Sequence, residues 1–194
     1  MMTVLSDTEI LEAIEKGKIM IEPFLRQNVG PCSVDLTLAS YFVVFNPGET
    51  VDPKNLETLR RVVQHVDTQD KPLVMSPGQF VLGSTNERIR LAKDLSATLE
   101  GRSSIARTGI VVHAAGLVQA GTGLLKSSTL TLEIFNMNPA PVKLYPGERI
   151  VQIAFHRLGR DALEGYDEKP TSQFRGQDRP IIKISTDRKL DEFM

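Results

Sequence analysis

The sequence predicts a mainly-β domain, of barrel or jelly-roll-like kind, with a short N-terminal helix and minor helical turns. Three observations carry this. Apolar and polar residues alternate over short stretches such as Val34-Asp35-Leu36-Thr37-Leu38 and Thr129-Leu130-Thr131-Leu132-Glu133-Ile134, the period of a strand with one buried face. Two segments echo each other, Ser76-Pro77-Gly78-Gln79-Phe80-Val81 and Tyr145-Pro146-Gly147-Glu148-Arg149-Ile150-Val151. In both, Pro-Gly suits the central positions of a type II turn and a strand follows. Only one stretch carries strong helical signals, and short strands between turns with little helix define all-β architectures.

That helix comes first. Ser6-Asp7-Thr8-Glu9 has the spacing of a capping box, and Ile10, Leu11 and Ile14 follow at helical intervals before Gly17. After Pro23 the period changes to that of strands, with Val34 to Leu38 alternating and Tyr41 to Phe45 forming a continuous apolar and aromatic run. Tyr41, Phe42 and Cys32 are expected in the core. Pro47-Gly48 and the charged stretch Asp52 to Arg61 leave the sheet, and Val62 to Val66 returns as an edge strand. In the last alternating segment Leu130, Leu132 and Ile134 share one face, while Thr129, Thr131 and Glu133 share the other.

Composition narrows the function classes. A chain of 194 residues is long enough for one core that buries roughly 70% of the unfolded surface, and we read residues 1–194 as a single domain with 165–194 as a C-terminal tail. Net charge is −1 and the pI near 6.3, which excludes the broad cationic field of a non-specific nucleic-acid binder, and no aromatic-and-basic stripe is present. The single cysteine, Cys32, excludes an intrachain disulfide framework. No apolar run approaches the ~18 residues that span a bilayer, and the first residues lack a basic-then-apolar signal pattern. The expectation is a cytoplasmic protein with neither nucleic acid nor membrane as partner.

Two segments carry candidate chemistry. Gly101-Arg102-Ser103-Ser104-Ile105-Ala106-Arg107 packs two guanidiniums, two hydroxyls and consecutive amides into a few residues, donors that suit a polyphosphate. It lacks the terminal Lys-Ser/Thr of a Walker loop, and a polar helix start with solvated arginines fits the same residues. Glu133, on the Thr-lined strand face, reads either as a solvated carboxylate or as a general base.

The run GRSSIARTGIVVH followed by TLTLEIFN resembles the dCTP deaminase branch of the dUTPase-like superfamily. The resemblance extends from Leu5-Ser6-Asp7 through Gly30-Pro31-Cys32-Ser33-Val34-Asp35-Leu36, Pro77 to Gly83 and Leu144 to Ile150, and reaches Tyr166. It implies a distorted β-barrel assembled as a homotrimer with sites at subunit interfaces. It implies hydrolytic deamination of dCTP to dUTP and ammonia, in the supply of dTTP precursors, with dUTP or dTTP as further ligands.

Deaminases commonly use zinc held by H-x-E and P-C-x-x-C. Here Cys32 is alone and His65, His113 and His156 are far apart in sequence, so no zinc set can be drawn from local spacing. The resemblance supplies a metal-free route: Glu133 takes a proton from a water that attacks cytosine C4, then returns protons to the leaving ammonia. Burial would raise its pKa and a nearby Arg107 would lower it, with Arg107 and Ser103 aligning water and base. The resemblance further places Arg102 and Ser104 on the triphosphate, Thr131 and Leu132 at the base edge through backbone groups, and Mg²⁺ on the nucleotide rather than in a protein cage.

Read alone, Gly165 to Gln177 is a polar, flexible terminus. The resemblance makes it a lid, with Tyr166 and Gln177 on the nucleotide. Gln173 stands where relatives carry a phosphate-contacting Lys, and Arg175 is the substitute charge. The other departure is Gly116 to Ser128, about three residues longer than the family loop, with Gln119 in place of an Asp that contacts deoxyribose. Gln can hydrogen-bond a hydroxyl but cannot be an anionic base, which disfavours the alternative of a bifunctional enzyme that releases dUMP and pyrophosphate. A non-catalytic nucleotide-binding relative is the third reading, opposed by Glu133. His113 is expected to be a hydrogen-bonded structural residue.

Overall fold

The computed structural model describes residues 3–48, 50–52, 55–113 and 115–182, with Leu56 described by its backbone alone; residues 183–194 of the expected tail lie outside these. After β1 (Thr3–Val4), Ser6 caps α1 (Asp7–Glu15): its side chain accepts the Glu9 N–H while the Glu9 carboxylate accepts the Ser6 N–H at 3.0 Å. The capping box reads as expected. β2 (Ile19–Glu22), a 3₁₀ turn at Arg26–Asn28, β3 (Val34–Thr37) and β4 (Tyr41–Phe45) follow. The excursion 46–62 contains α2 (Leu56–Arg61), where Asn55 Oδ1 accepts the Glu57 and Thr58 N–H groups. β5 (Val63–Asp67) pairs with β4 at the edge of its sheet.

β6 (Leu73–Met75) leads through Pro77-Gly78 into β7 (Phe80–Ser84), then β8 (Arg88–Leu91) and β9 (Leu95–Gly101). α3 (Ser103–Ala106), β10 (Ile110–His113), β11 (Leu117–Val118), β12 (Thr131–Asn136), β13 (Val142–Leu144) and β14 (Arg149–Arg157) complete the order. The echoed turns are built alike. Gly78 and Gly147 take φ +74° and +82°, as the third position of a type II turn requires. Gln79 N–H bonds Ser76 O and Glu148 N–H bonds Tyr145 O, both at 3.1 Å. In each turn the fourth side chain accepts the first residue's N–H at 2.8 Å, Gln79 from Ser76 and Glu148 from Tyr145.

All described pairings are antiparallel. One five-stranded sheet runs β1-β14-β9-β11, with β3 also on β14; the other runs β10-β12-β7-β4-β5; β6-β13 and β2-β8 form two-stranded ribbons. The fold is mainly β, with the strands of the described residues divided among these sheets rather than closed into one barrel. Between them lies the core, where Leu36, Phe42, Leu132, Ile134, Ile153 and Phe155 are fully buried. Leu132 and Ile134 point inward, so period 2 turns Thr131 and Glu133 to the opposite face of the sheet. Leu132→Ala is expected to lower unfolding stability by about 2–5 kcal/mol, read as a reduced urea midpoint at unchanged m-value.

Two residues depart from their expected place. Cys32 is exposed, because it lies in the turn closed by Gly30 N–H on Ser33 O, before β3 begins. Tyr41 is half-buried, with the Arg179 guanidinium 4.5 Å from its ring centroid, whereas Phe42 is core.

Candidate active site

Glu133 sits in the middle of a sheet. On β12 it registers with Leu82 of β7 on one side and His113 of β10 on the other. Above this face lies a cavity of about 600 Å³, lined by Gln119, Thr131, Glu133, Tyr166 and Gln177, and by apolar side chains that include Phe45, Leu59, Leu82 and Ile181. Among the described lining residues Glu133 is the one carboxylic acid.

The surroundings tune that acid. Burial raises the Glu133 pKa above the ordinary glutamate value; its own backbone N–H, the neighbouring His113 and the Ala115 N–H pull it back in part, and the balance stays upward. One carboxylate oxygen is buried without a hydrogen-bond partner. A partly desolvated carboxylate on the lining of a cavity is a competent proton acceptor. His113, expected as a hydrogen-bonded structural residue, is exposed at the end of β10 and acts on Glu133 through space.

The C-terminal segment folds onto the same face. Gln177 N–H bonds Ser128 Oγ at 2.9 Å, its carbonyl accepts the Thr129 N–H at 2.9 Å, and its Oε1 accepts the Thr131 hydroxyl at 3.1 Å. Tyr166 N–H bonds Ala120 O at 2.8 Å and its hydroxyl accepts the Phe174 N–H at 3.2 Å. Asp178 adds ion pairs to Arg88 at 2.5 Å and Lys126 at 2.6 Å. Gln173 is half-buried and lines no part of the cavity. Arg175 bonds the Asp167 carbonyl at 3.3 Å, within the tail itself.

Gln119, Thr131, Glu133, Tyr166 and Gln177 thus share one cavity, whereas Leu132, between two of them in sequence, does not line it and has its side chain in the core. No residue of Gly101–Arg107 lines that cavity, although Gly101 lies against the Val112 carbonyl of β10. Ile110, three residues after Arg107, pairs with Asn136 of β12, three residues from Glu133, a separation of roughly 10 Å at ~3.4 Å per residue. Within one protomer Arg107 is not among the groups that shift the Glu133 pKa; His113 takes that part. Ser103, Ser104 and Arg107 are exposed around α3. Arg102 Nε is 2.9 Å from Asp35, which also binds Arg149 at 3.3 Å, so its guanidinium is held in a fixed orientation.

The sequence reading missed several groups that the fold supplies: Ser128 and Thr129 as docking points for the tail, the apolar wall of Phe45, Leu59 and Ile181, and buried Asp167. The tail contacts join residues more than forty positions apart, beyond any local pattern.

Fold and site together define a mainly-β domain with a cavity for a small ligand and one tuned carboxylate at its centre. A family model described as dCTP deaminase-like matches residues 4–158, and the chain belongs to that family. A protein of Methanopyrus kandleri named "dCTP deaminase, dUMP-forming" is 41% identical, over 92% of this chain and 94% of the relative. One of the same name from Dictyoglomus thermophilum is 38% identical over 91% and 92%. A "dCTP deaminase" of Thermomicrobium roseum is 39% identical over 91% of each. Among solved structures, 2′-deoxycytidine 5′-triphosphate deaminase from Agrobacterium tumefaciens superposes with a TM-score of 0.63 at 25% identity, covering 80% of this chain and 48% of the other. The chain thus spans about half the length of that solved protein.

Proposed function

We propose that the protein deaminates dCTP with Glu133 as proton acceptor and donor, and carries the product on to dUMP and pyrophosphate. The observation that carries the deamination is the Glu133 carboxylate itself: pKa raised by burial, one oxygen unpartnered, at the edge of a cavity walled by a hydrogen-bonding strand. Glu133 takes a proton from water as the oxygen bonds to C4, giving a tetrahedral centre. Protonation of the amino nitrogen by the same carboxyl lets the C–N bond break and ammonia leave.

Release of dUMP, rather than the dUTP that the sequence reading preferred, is supported by relatives at 38–41% identity named dUMP-forming. The dUTP-releasing reading keeps one observation in its favour: Gln119 lines the cavity, and among the described lining residues no second carboxylate is present for attack at phosphorus. A non-catalytic role leaves the tuned carboxylate without a purpose.

Arg102 and Ser104 hold the triphosphate, and Ser103 and Arg107 align water and base, from a neighbouring protomer of a homotrimer. Support comes from the exposure of Ser103, Ser104 and Arg107 around α3 and from their not lining the cavity of their own chain. Mg²⁺ arrives as part of the Mg²⁺–dCTP substrate; no group of three His, Cys, Asp or Glu among the described residues forms a cage for it, and Mg²⁺ suits phosphate oxygens and water. Among the described residues no helix is long and apolar enough to cross a membrane; a cytoplasmic setting fits this substrate.

Incubation of the protein with dCTP and Mg²⁺ tests the proposal. Ammonia, dUMP and pyrophosphate in equal amounts are expected. Accumulating dUTP supports the single reaction instead, and unchanged dCTP overturns deamination.

A further inference from the structure

We propose that Asp167 is a positioning residue, a latch that ties the cavity-lining loop 119–125 to the C-terminal segment and so fixes Tyr166 and Gln119 against the nucleotide. The inference rests on the nucleotide-binding reading above for its kinetic consequence, and on geometry for the latch.

Asp167 is 1% exposed, an unusual place for a carboxylate, whose burial is costly unless hydrogen bonds replace water. Its Oδ2 accepts the Leu125 N–H at 3.0 Å, and its Oδ1 is buried with no partner. The backbone of the same residue is also engaged: its N–H points to Gly121 O at 3.4 Å and its carbonyl accepts from Arg175 at 3.3 Å. One residue thereby holds the loop at Gly121 and at Leu125, and the tail's turn at Arg175.

Asp167 does not line the cavity. Its predecessor Tyr166 does, as does Gln119 at the start of the loop. The two backbones it joins are in contact: Gly121 has φ +77°, and a Cβ there would fall 2.4 Å from Gly165 Cα. Such an approach leaves no room for slack, so Tyr166 and Gln119 are set relative to each other by how firmly loop and tail adhere. Leu125 is 73% exposed and brings no packing of its own to that seam; the carboxylate supplies the anchor.

The test compares full-length wild type with Asp167→Ala, Asp167→Asn and Gly121→Ala in two assays. In limited trypsinolysis of ligand-free protein, Asp167→Ala is expected to speed cleavage after Arg175, with cleavage after exposed Arg160 as internal control. In kinetics, its KM for dCTP is expected to rise about threefold to tenfold, the loss of a buried hydrogen bond, with kcat changed much less. Asp167→Asn keeps the acceptor oxygen and is expected to restore both readouts. Wild-type cleavage and KM in Asp167→Ala overturn the latch. An Asn variant as impaired as Ala also overturns it, since charge rather than the bond to Leu125 is then what counts. Should Asp167→Ala fail to fold, Gly121→Ala separates the same segments with Asp167 intact; faster cleavage after Arg175 is expected and unchanged cleavage overturns the proposal. A wild type that never turns over dCTP removes the functional reading but leaves the proteolytic readout of the latch.

Discussion

Glu133→Gln is expected to cut dCTP deamination by ~10²–10⁴-fold, the usual worth of a positioned general base, while the protein still binds the nucleotide. Gln preserves the side-chain length and one acceptor oxygen, but has no lone pair basic enough to take a proton from water. Binding measured by calorimetry with Mg²⁺–dCTP, beside ammonia release, separates the two effects. The same substitution has a thermodynamic signature. Because burial raises the Glu133 pKa, the native carboxyl holds its proton at pH values where the unfolded one has lost it. The unfolded state then binds fewer protons, so stability falls as pH rises through the window between the free value of about 4.3 and the raised native value. Gln carries no such dependence. The thermal midpoint of Glu133→Gln is expected to match wild type below about pH 4 and to exceed it increasingly as pH rises through that window, levelling above it. A variant that loses activity with no pH-dependent gain in stability contradicts the desolvated-base description. Activity follows the opposite limb: deamination needs the ionised form and falls on acidification at a higher pH than an ordinary glutamate would impose.

What was legible in the sequence was local. The box at Ser6 and Glu9 closes over three residues, and so do the turns at Pro77-Gly78 and Pro146-Gly147; nothing distant can override contacts that short. Glu133 could be assigned to its face of β12 because strand period is fixed at two and Leu132 and Ile134 demand the core. Cys32 failed for a related reason. Apolar character alone does not place a residue inside when a turn turns it outward. The tail could not be read from its own residues, whose polarity is that of a loose terminus, because its order comes from Ser128, Thr129 and Thr131 far upstream; only the family resemblance pointed to Tyr166 and Gln177, which line the cavity. Nor could sequence order reveal that Gly101 lies against Val112, one register step from Glu133, while Ser103, Ser104 and Arg107 line no part of the cavity that Glu133 lines.

That separation generates the second large effect. If each site joins Glu133 of one protomer to Arg107 of the next around a ring, Glu133→Gln and Arg107→Ala are both expected to be nearly inactive alone yet active when mixed. In a ring of heterologous contacts, a site is intact when one chain keeps Glu133 and its neighbour keeps Arg107. Random reassembly of equal amounts makes that so at about a quarter of sites, since each condition holds for about half of the chains. Activity is thus expected to rise from below about 1% in either parent to about a quarter of wild type, after subunits are exchanged by mild denaturation and dilution and mixed oligomers are verified by two affinity tags. The geometry allows no such rescue if both groups serve one chain's own cavity: every chain then carries one lesion, and mixing yields only the mean of the parents. The outcome therefore discriminates between a shared and a private site without a ligand-bound structure, and it bears on the feature that makes α3 puzzling in isolation, two exposed hydroxyls and an exposed guanidinium that line no part of the cavity in which Glu133 sits.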